Sequence, residues 1–96
     1  MSLFVITCLD RPASLDLRLA TRARHLQYLA DAPNVRAAGP FLDPAGHMIG
    51  SMLVVEADSQ EQAELFAARD PYAVAGLFAS STVRGWKQTA GTAVIA

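Results

Sequence analysis

One cysteine, Cys8, is all the chain has, which excludes an internal disulfide framework. Only two histidines are present, His25 and His47. Neither stands in a cluster at metal-ligand spacing, so neither a structural metal nor any other cofactor is expected. Charge of one sign is also lacking: eight basic residues oppose nine acidic ones for a formal net charge of -1. No basic run is long enough to follow a phosphate backbone, which removes nucleic acid from the expected partners. Long apolar runs are missing too. The stretch Met1-Ser2-Leu3-Phe4-Val5-Ile6 turns polar by Asp10, is too short to cross a bilayer, and lacks the basic lead and cleavage site of a signal peptide. The expectation is a cytoplasmic chain with no membrane partner. Internal repeats and low-complexity tracts are absent as well.

What is present in quantity is apolar surface. A chain of 96 residues has room for one compact domain, residues 1–96, and buries only about two-thirds of the surface it exposes unfolded. With 52% apolar residues it holds more than one thin core needs. The surplus points to self-association.

Leu3 to Leu9 reads as a first strand, apolar on both faces, that ends at Asp10-Arg11-Pro12. From Ala13 to Ala30 the leucines at 15, 19, 26 and 29 recur at helical intervals, and Pro33 stops the pattern. On that helix Arg22 falls within the leucine stripe, whereas Arg18 and His25 lie along its border and Arg24 points to solvent. A guanidinium on a buried apolar stripe is costly unless an anion pairs with it, so Arg22 calls for a partner from the fold or from a ligand. Asn34 to Leu42 reads as a strand in which Pro40 argues for an edge or a bulge. Asp43-Pro44-Ala45-Gly46 turns it into a third strand from Met48 to Glu56. Two overlapping capping boxes, Asp58 with Glu61 or Ser59 with Gln62, open a second helix that ends before Pro71. A turn from Tyr72 to Gly76 follows, and Leu77 to Thr89, rich in β-branched and aromatic residues, reads as the fourth strand. Gly91 to Ala96 is a short apolar tail, either frayed or laid across a partner.

The order β-α-β-β-α-β predicts an α+β, ferredoxin-like fold: a four-stranded antiparallel sheet with both helices on one face. Its other face would be bare, and a second copy packed sheet to sheet would cover it.

Chemistry concentrates at His25 and Asp70. An imidazole can accept and donate a proton near neutral pH. Asp70 sits at the carboxyl end of the second helix, where the helix dipole disfavours a negative charge. Its sober role is to open the Asp-Pro turn; its sharper one is to orient His25 or to pair with Arg22. Tyr72 offers a phenol to a ligand or a packed ring with a wet hydroxyl. Cys8 reads as a small buried hydrophobe rather than a nucleophile, and His47 as an exposed residue of the hairpin tip. Ser51, Ser80 and Ser81 are strand serines without a nucleophile-elbow pattern, and any of them could line a cavity. Trp86 reads as packing, in the core or against a second copy.

In these residues the chain resembles the YciI-like (YCII-related) proteins of bacteria. The resemblance runs from Leu3 to about Lys87. It rests on Arg22-Ala23-Arg24-His25-Leu26, Ala38-Gly39-Pro40, Gly50-Ser51, and Asp70-Pro71-Tyr72 followed by Ala75-Gly76. It implies a dimeric α/β barrel, related in architecture to muconolactone isomerases, with a cavity in which a histidine and an aspartate work as a pair, here His25 and Asp70. The family includes a dehydrochlorinase of a chlorinated hydroxyquinol, so the scaffold supports acid-base elimination. The resulting expectation is a small acid-base enzyme of lyase, dehydrohalogenase or isomerase type. His25 and Asp70 would be its catalytic pair, and Arg22, Arg18, Tyr72 and Ser51 would hold a small anionic or aromatic ligand. The alternative is a non-catalytic ligand-binding or interaction module in which His25 and Asp70 are structural.

Overall fold

The computed structural model describes residues 2–93. Its elements are β1 (Ser2–Asp10), α1 (Leu15–Ala30), β2 (Val35–Leu42), β3 (Met48–Ala57), α2 (Gln60–Arg69), α3 (Pro71–Val74) and β4 (Phe78–Trp86). The strands form one sheet in the order β2-β3-β1-β4 with every neighbouring pair antiparallel. This is the expected ferredoxin-like α+β arrangement with one added helical turn, α3. Pro40 lies on β2, an edge strand, where its missing N–H disrupts no inner ladder.

Alternation along β1 divides the two faces. Phe4, Ile6 and Cys8 point to the helices and join Leu53, Val55 and Ala57 of β3 with Ala63 of α2 in the core. Leu29 of α1 and Phe66 and Ala67 of α2 close over it, which places both long helices on the same face. The register puts Val5 and Thr7 of β1, Met52 and Val54 of β3, and Arg84 and Trp86 of β4 on the opposite face. Gly50 lets β1 and β3 approach closely: a Cβ there would run into the Cys8 carbonyl oxygen.

Local chemistry sets the element ends. Ala13 has a φ of 55°, a left-handed conformation that no α-helix continues, so α1 begins at Leu15 rather than at Ala13. At α2 the Ser59 cap is the one formed, its Oγ accepting from the Gln62 N–H at 3.1 Å. At the hairpin tip Asp43 Oδ1 accepts from the Ala45 and His47 N–H groups, both at 2.9 Å, and His47 is exposed. β4 is shorter than the expected span of Leu77 to Thr89. Leu77 is fully buried just before the strand, its carbonyl accepting from the Arg11 N–H at 2.8 Å, and among the described residues no ladder pairing extends past Trp86. Of the tail Gly91 to Ala96, residues 94–96 lie outside the described residues.

The face that α1 presents differs from the expected one. Leu15, Leu19 and Leu26 are 40, 49 and 51% exposed, whereas Arg18, Thr21 and His25, spaced i, i+3 and i+7, are 2, 1 and 7% exposed. Arg22 is therefore not a buried cation in want of a partner. It lies on the exposed side with the leucines, and the buried guanidinium is that of Arg18. The reason is what the neighbouring elements supply: β1, β3 and α3 bring Asp10, Ser51 and Asp70 to this helix, and a polar stripe met by such partners can be buried.

Candidate functional site

Asp70 ends α2 and also caps α3. Its Oδ1 accepts from the Tyr72 N–H at 2.9 Å, with Pro71 at the first helical position, where a missing N–H costs nothing. The stretch expected to be a turn is thus a capped helical turn, which accounts for a carboxylate at a position unfavourable to α2. The same Oδ1 is 2.8 Å from His25 Nδ1. A carboxylate only accepts, so Nδ1 carries the proton and donates it. The other ring nitrogen, Nε2, has no hydrogen-bond partner among the described residues. Such an imidazole holds its basic lone pair at Nε2.

The Tyr72 ring stacks on the imidazole, with centroids 4.0 Å apart and planes inclined by 17°. Arg18 sets its guanidinium carbon 4.6 Å from the centre of the same ring. Phe78 meets Tyr72 edge-on at 6.1 Å. Arg18 itself is bound in bidentate fashion, Nε to Asp10 Oδ2 at 2.7 Å and Nη2 to Asp10 Oδ1 at 2.9 Å. Nη2 also donates to Ser51 Oγ at 2.9 Å. Among the described residues, no buried side-chain nitrogen or oxygen is left without a partner.

A cavity of about 140 Å³ opens between α1 and the β2–β3 hairpin. Arg18, Arg22, His25, Ser51 and Tyr72 share its wall with apolar Leu26, Leu29, Ala38, Pro40 and Met48, and Asp70 stands behind the imidazole. The expected site residues are thus gathered in one place, but in different conditions. Arg18 is charge-paired with Asp10 through Nε and Nη2, whereas Arg22 has no hydrogen-bond or ion-pair partner among the described residues. Larger clefts of about 440 and 560 Å³ lie elsewhere on the surface and include neither His25 nor Asp70.

Burial opposes the charge on Arg18, but the Asp10 hydrogen bond and carboxylate outweigh it and hold the guanidinium pKa above its ordinary value. Burial pushes the Tyr72 phenol up despite the nearby Arg18 and Arg22 charges, so the hydroxyl keeps its proton. Cys8 is likewise raised by burial, and its thiol donates to Ser81 Oγ at 3.4 Å. This is an inert core position. Ser80 and Ser81 do not line the cavity, and Trp86 lies on the open sheet face, half-exposed.

Residues 2–87 match the YCII-related domain. The chain belongs to the YCII-related family. Protein YciI of Escherichia coli is 36% identical over 95 residues, spanning 90% of this chain and 97% of that protein. An uncharacterised protein of Haemophilus influenzae is 33% identical, spanning 88 and 96% of the two chains. Among solved structures, 5-chloro-2-hydroxyhydroquinone dehydrochlorinase from Burkholderia phenoliruptrix, in complex with 2,5-dihydroxybenzoquinone, is 38% identical. It superposes with a TM-score of 0.85, covering 91% of this chain and 95% of the other. An antibiotic biosynthesis monooxygenase, 12% identical with a TM-score of 0.58, shares the fold alone.

One part of the site in this YCII-related chain was not read from its sequence: Asp10. A signal was available. Strand alternation puts residue 10 on the helix-facing side with Phe4, Ile6 and Cys8, so a carboxylate there needs a buried cation. Among the described residues no helix is long and apolar enough to cross a membrane.

Proposed function

We propose that this YCII-related protein is a cytoplasmic, homodimeric acid-base enzyme of lyase, dehydrohalogenase or isomerase type. Its base is His25 Nε2, with Asp70 fixing the tautomer and stabilising the imidazolium. The observation that carries this is the 2.8 Å Nδ1–Oδ1 bond, which leaves Nε2 without a protein partner on a residue of the cavity wall. In the proposed step Nε2 takes a proton from an acidic O–H or C–H of the ligand. The electron pair left behind either shifts within the ligand, which is then reprotonated elsewhere, or expels a leaving group such as chloride while the imidazolium returns its proton to solvent. Arg22 at the wall pairs with the anionic part of the ligand. A cavity of about 140 Å³ is of the size that holds one six-membered ring. The similar dehydrochlorinase and its quinone ligand support a single-ring substrate.

The homodimer forms, in this reading, through the open sheet face, whose half-buried Val5 and exposed Met52 and Trp86 would be covered by a second copy.

The test is chloride release from 5-chloro-2-hydroxyhydroquinone, with 2,5-dihydroxybenzoquinone as the binding probe. His25→Ala is expected to retain the probe and lose turnover by about 10² to 10⁴-fold; equal turnover in the variant sinks the proposal. One observation favours a second reading, a non-catalytic ligand-binding module. Asp70 also caps α3, so the His25–Asp70 bond ties α1 to α3 whether or not protons move. That reading expects probe binding with no turnover of any ring substrate tried.

A further inference from the structure

The cavity contains two arginines in opposite states, and the difference traces to one residue. Asp10 closes β1 at an irregularity of the β1–β4 ladder, where Asp10 pairs with Phe78 after Leu9 pairs with Ser80. From there it covers Nε and Nη2 of Arg18, and Ser51 takes Nη2 from the cavity side. Both members of the pair are buried, with side chains 3 and 7% exposed. A buried ion pair is not in itself a gain in stability over apolar residues of the same shape, so its presence at a ligand cavity calls for another reason. Here it neutralises one of the two cations in the wall. Arg22, one helical turn along α1, has no hydrogen-bond or ion-pair partner among the described residues.

We propose that Asp10 sets the charge selectivity of the cavity: by neutralising Arg18 it leaves Arg22 as the one cavity-wall arginine without a counter-charge among the described residues, so that the site accepts a monoanion and rejects a dianion of the same shape. This rests on the reading of the cavity as an anion-binding site. A second negative charge on the ligand would find no free cation and would face apolar Leu26, Pro40 and Met48, with the Asp70 carboxylate behind the imidazole. A ligand charge facing no counter-charge costs affinity by roughly tenfold or more.

Benzenesulfonate and phenylphosphonate are near-isosteric single-ring probes. Under mildly alkaline conditions the first is a monoanion and the second a dianion. Calorimetric titration of the wild-type protein should show benzenesulfonate binding about tenfold more tightly. Asp10→Asn, which frees the Arg18 charge, should narrow or reverse that preference. Because this variant leaves a buried cation unpaired and can fail to fold, a second variant removes the pair altogether: Asp10→Leu combined with Arg18→Met should keep the wild-type preference. Wild-type protein that binds phenylphosphonate as well as or better than benzenesulfonate overturns the proposal, as does loss of benzenesulfonate binding in the pairless variant, which would make Arg18 the anion holder. Binding of neither probe to wild-type protein overturns the anion-site reading itself, and this proposal with it.

Discussion

Replacing Asp70 by Asn and by Ala separates what its charge does from what its shape does. Asp70 is 3% exposed, and its Oδ1 accepts two hydrogen bonds, from His25 Nδ1–H and the Tyr72 N–H. Asn is as good a helix cap as Asp, so the α3 cap survives in Asp70→Asn. What changes is that two bonds to a charged acceptor become bonds to a neutral one, a loss of about 1 kcal/mol each, or roughly 2 kcal/mol in all. Asp70→Ala removes the acceptor and strands two buried donors at about 1–3 kcal/mol apiece, so it should cost on the order of 4 kcal/mol. For a chain of this length 1 kcal/mol corresponds to about 4–8 °C in the melting midpoint. The Asn variant should then melt roughly 10 °C below wild type, with the Ala variant lower still. Turnover should fall far more than stability. A neutral amide oxygen no longer stabilises the imidazolium that forms when Nε2 takes a proton, which predicts a loss of about 10² to 10⁴-fold in kcat in fully folded protein. The paired assays are a thermal melt and turnover measured well below the midpoint. An Asn variant that melts with wild type refutes the charged-acceptor argument. Turnover that tracks only the folded fraction refutes the catalytic one.

Stability should decline on the alkaline side because burial holds the Cys8 thiol and the Tyr28 and Tyr72 phenols above their ordinary ranges. The folded chain keeps these protons longer than the unfolded one, so their contribution is complete below about pH 8.5 and is lost as pH rises through the thiol and then the phenol range. The urea midpoint should fall over that window, with Cys8→Ala flattening its lower part; a flat or rising wild-type midpoint contradicts this. For the open sheet face, light scattering at micromolar concentration should report a dimer for wild type and a monomer for Trp86→Asp, since Trp86, 40% exposed in the single chain, would place a charge at the contact. A wild-type monomer removes the dimer proposal.

The parts of the fold that depend on local rules were readable in advance. Pro40 calls for an edge or a bulge because proline cannot donate to a ladder, and β2 lies at the edge. Period-two alternation in β1 separates Phe4, Ile6 and Cys8 from Leu3, Val5 and Thr7, and the helix-side core cluster takes only the first three, although Leu3 is also buried. Local rules failed where two signals competed. The leucines of α1 marked an apolar face, but a helix wheel carries no information about which side the rest of the chain will approach. The one-turn helix α3 was missed because four residues are too few to show a period, and its cap is a side chain already assigned to a turn.

The candidate site divides in the same way. Its members His25, Arg22, Ser51, Asp70 and Tyr72 could be named from short motifs, and their gathering around one cavity requires only that the β-α-β-β-α-β order fold as it usually does. Sequence by itself therefore determined the order of elements, the sheet, and the candidate site residues, because spacing, proline and glycine act over a few residues. Only the tertiary structure decided that Arg18 is buried and consumed while Arg22 stays free, that Asp10 belongs to the site, and that one oxygen of Asp70 serves both a helix cap and an imidazole. Those outcomes depend on which groups from β1, β3 and α3 arrive beside α1, and a buried polar side chain is stable only where such partners meet it.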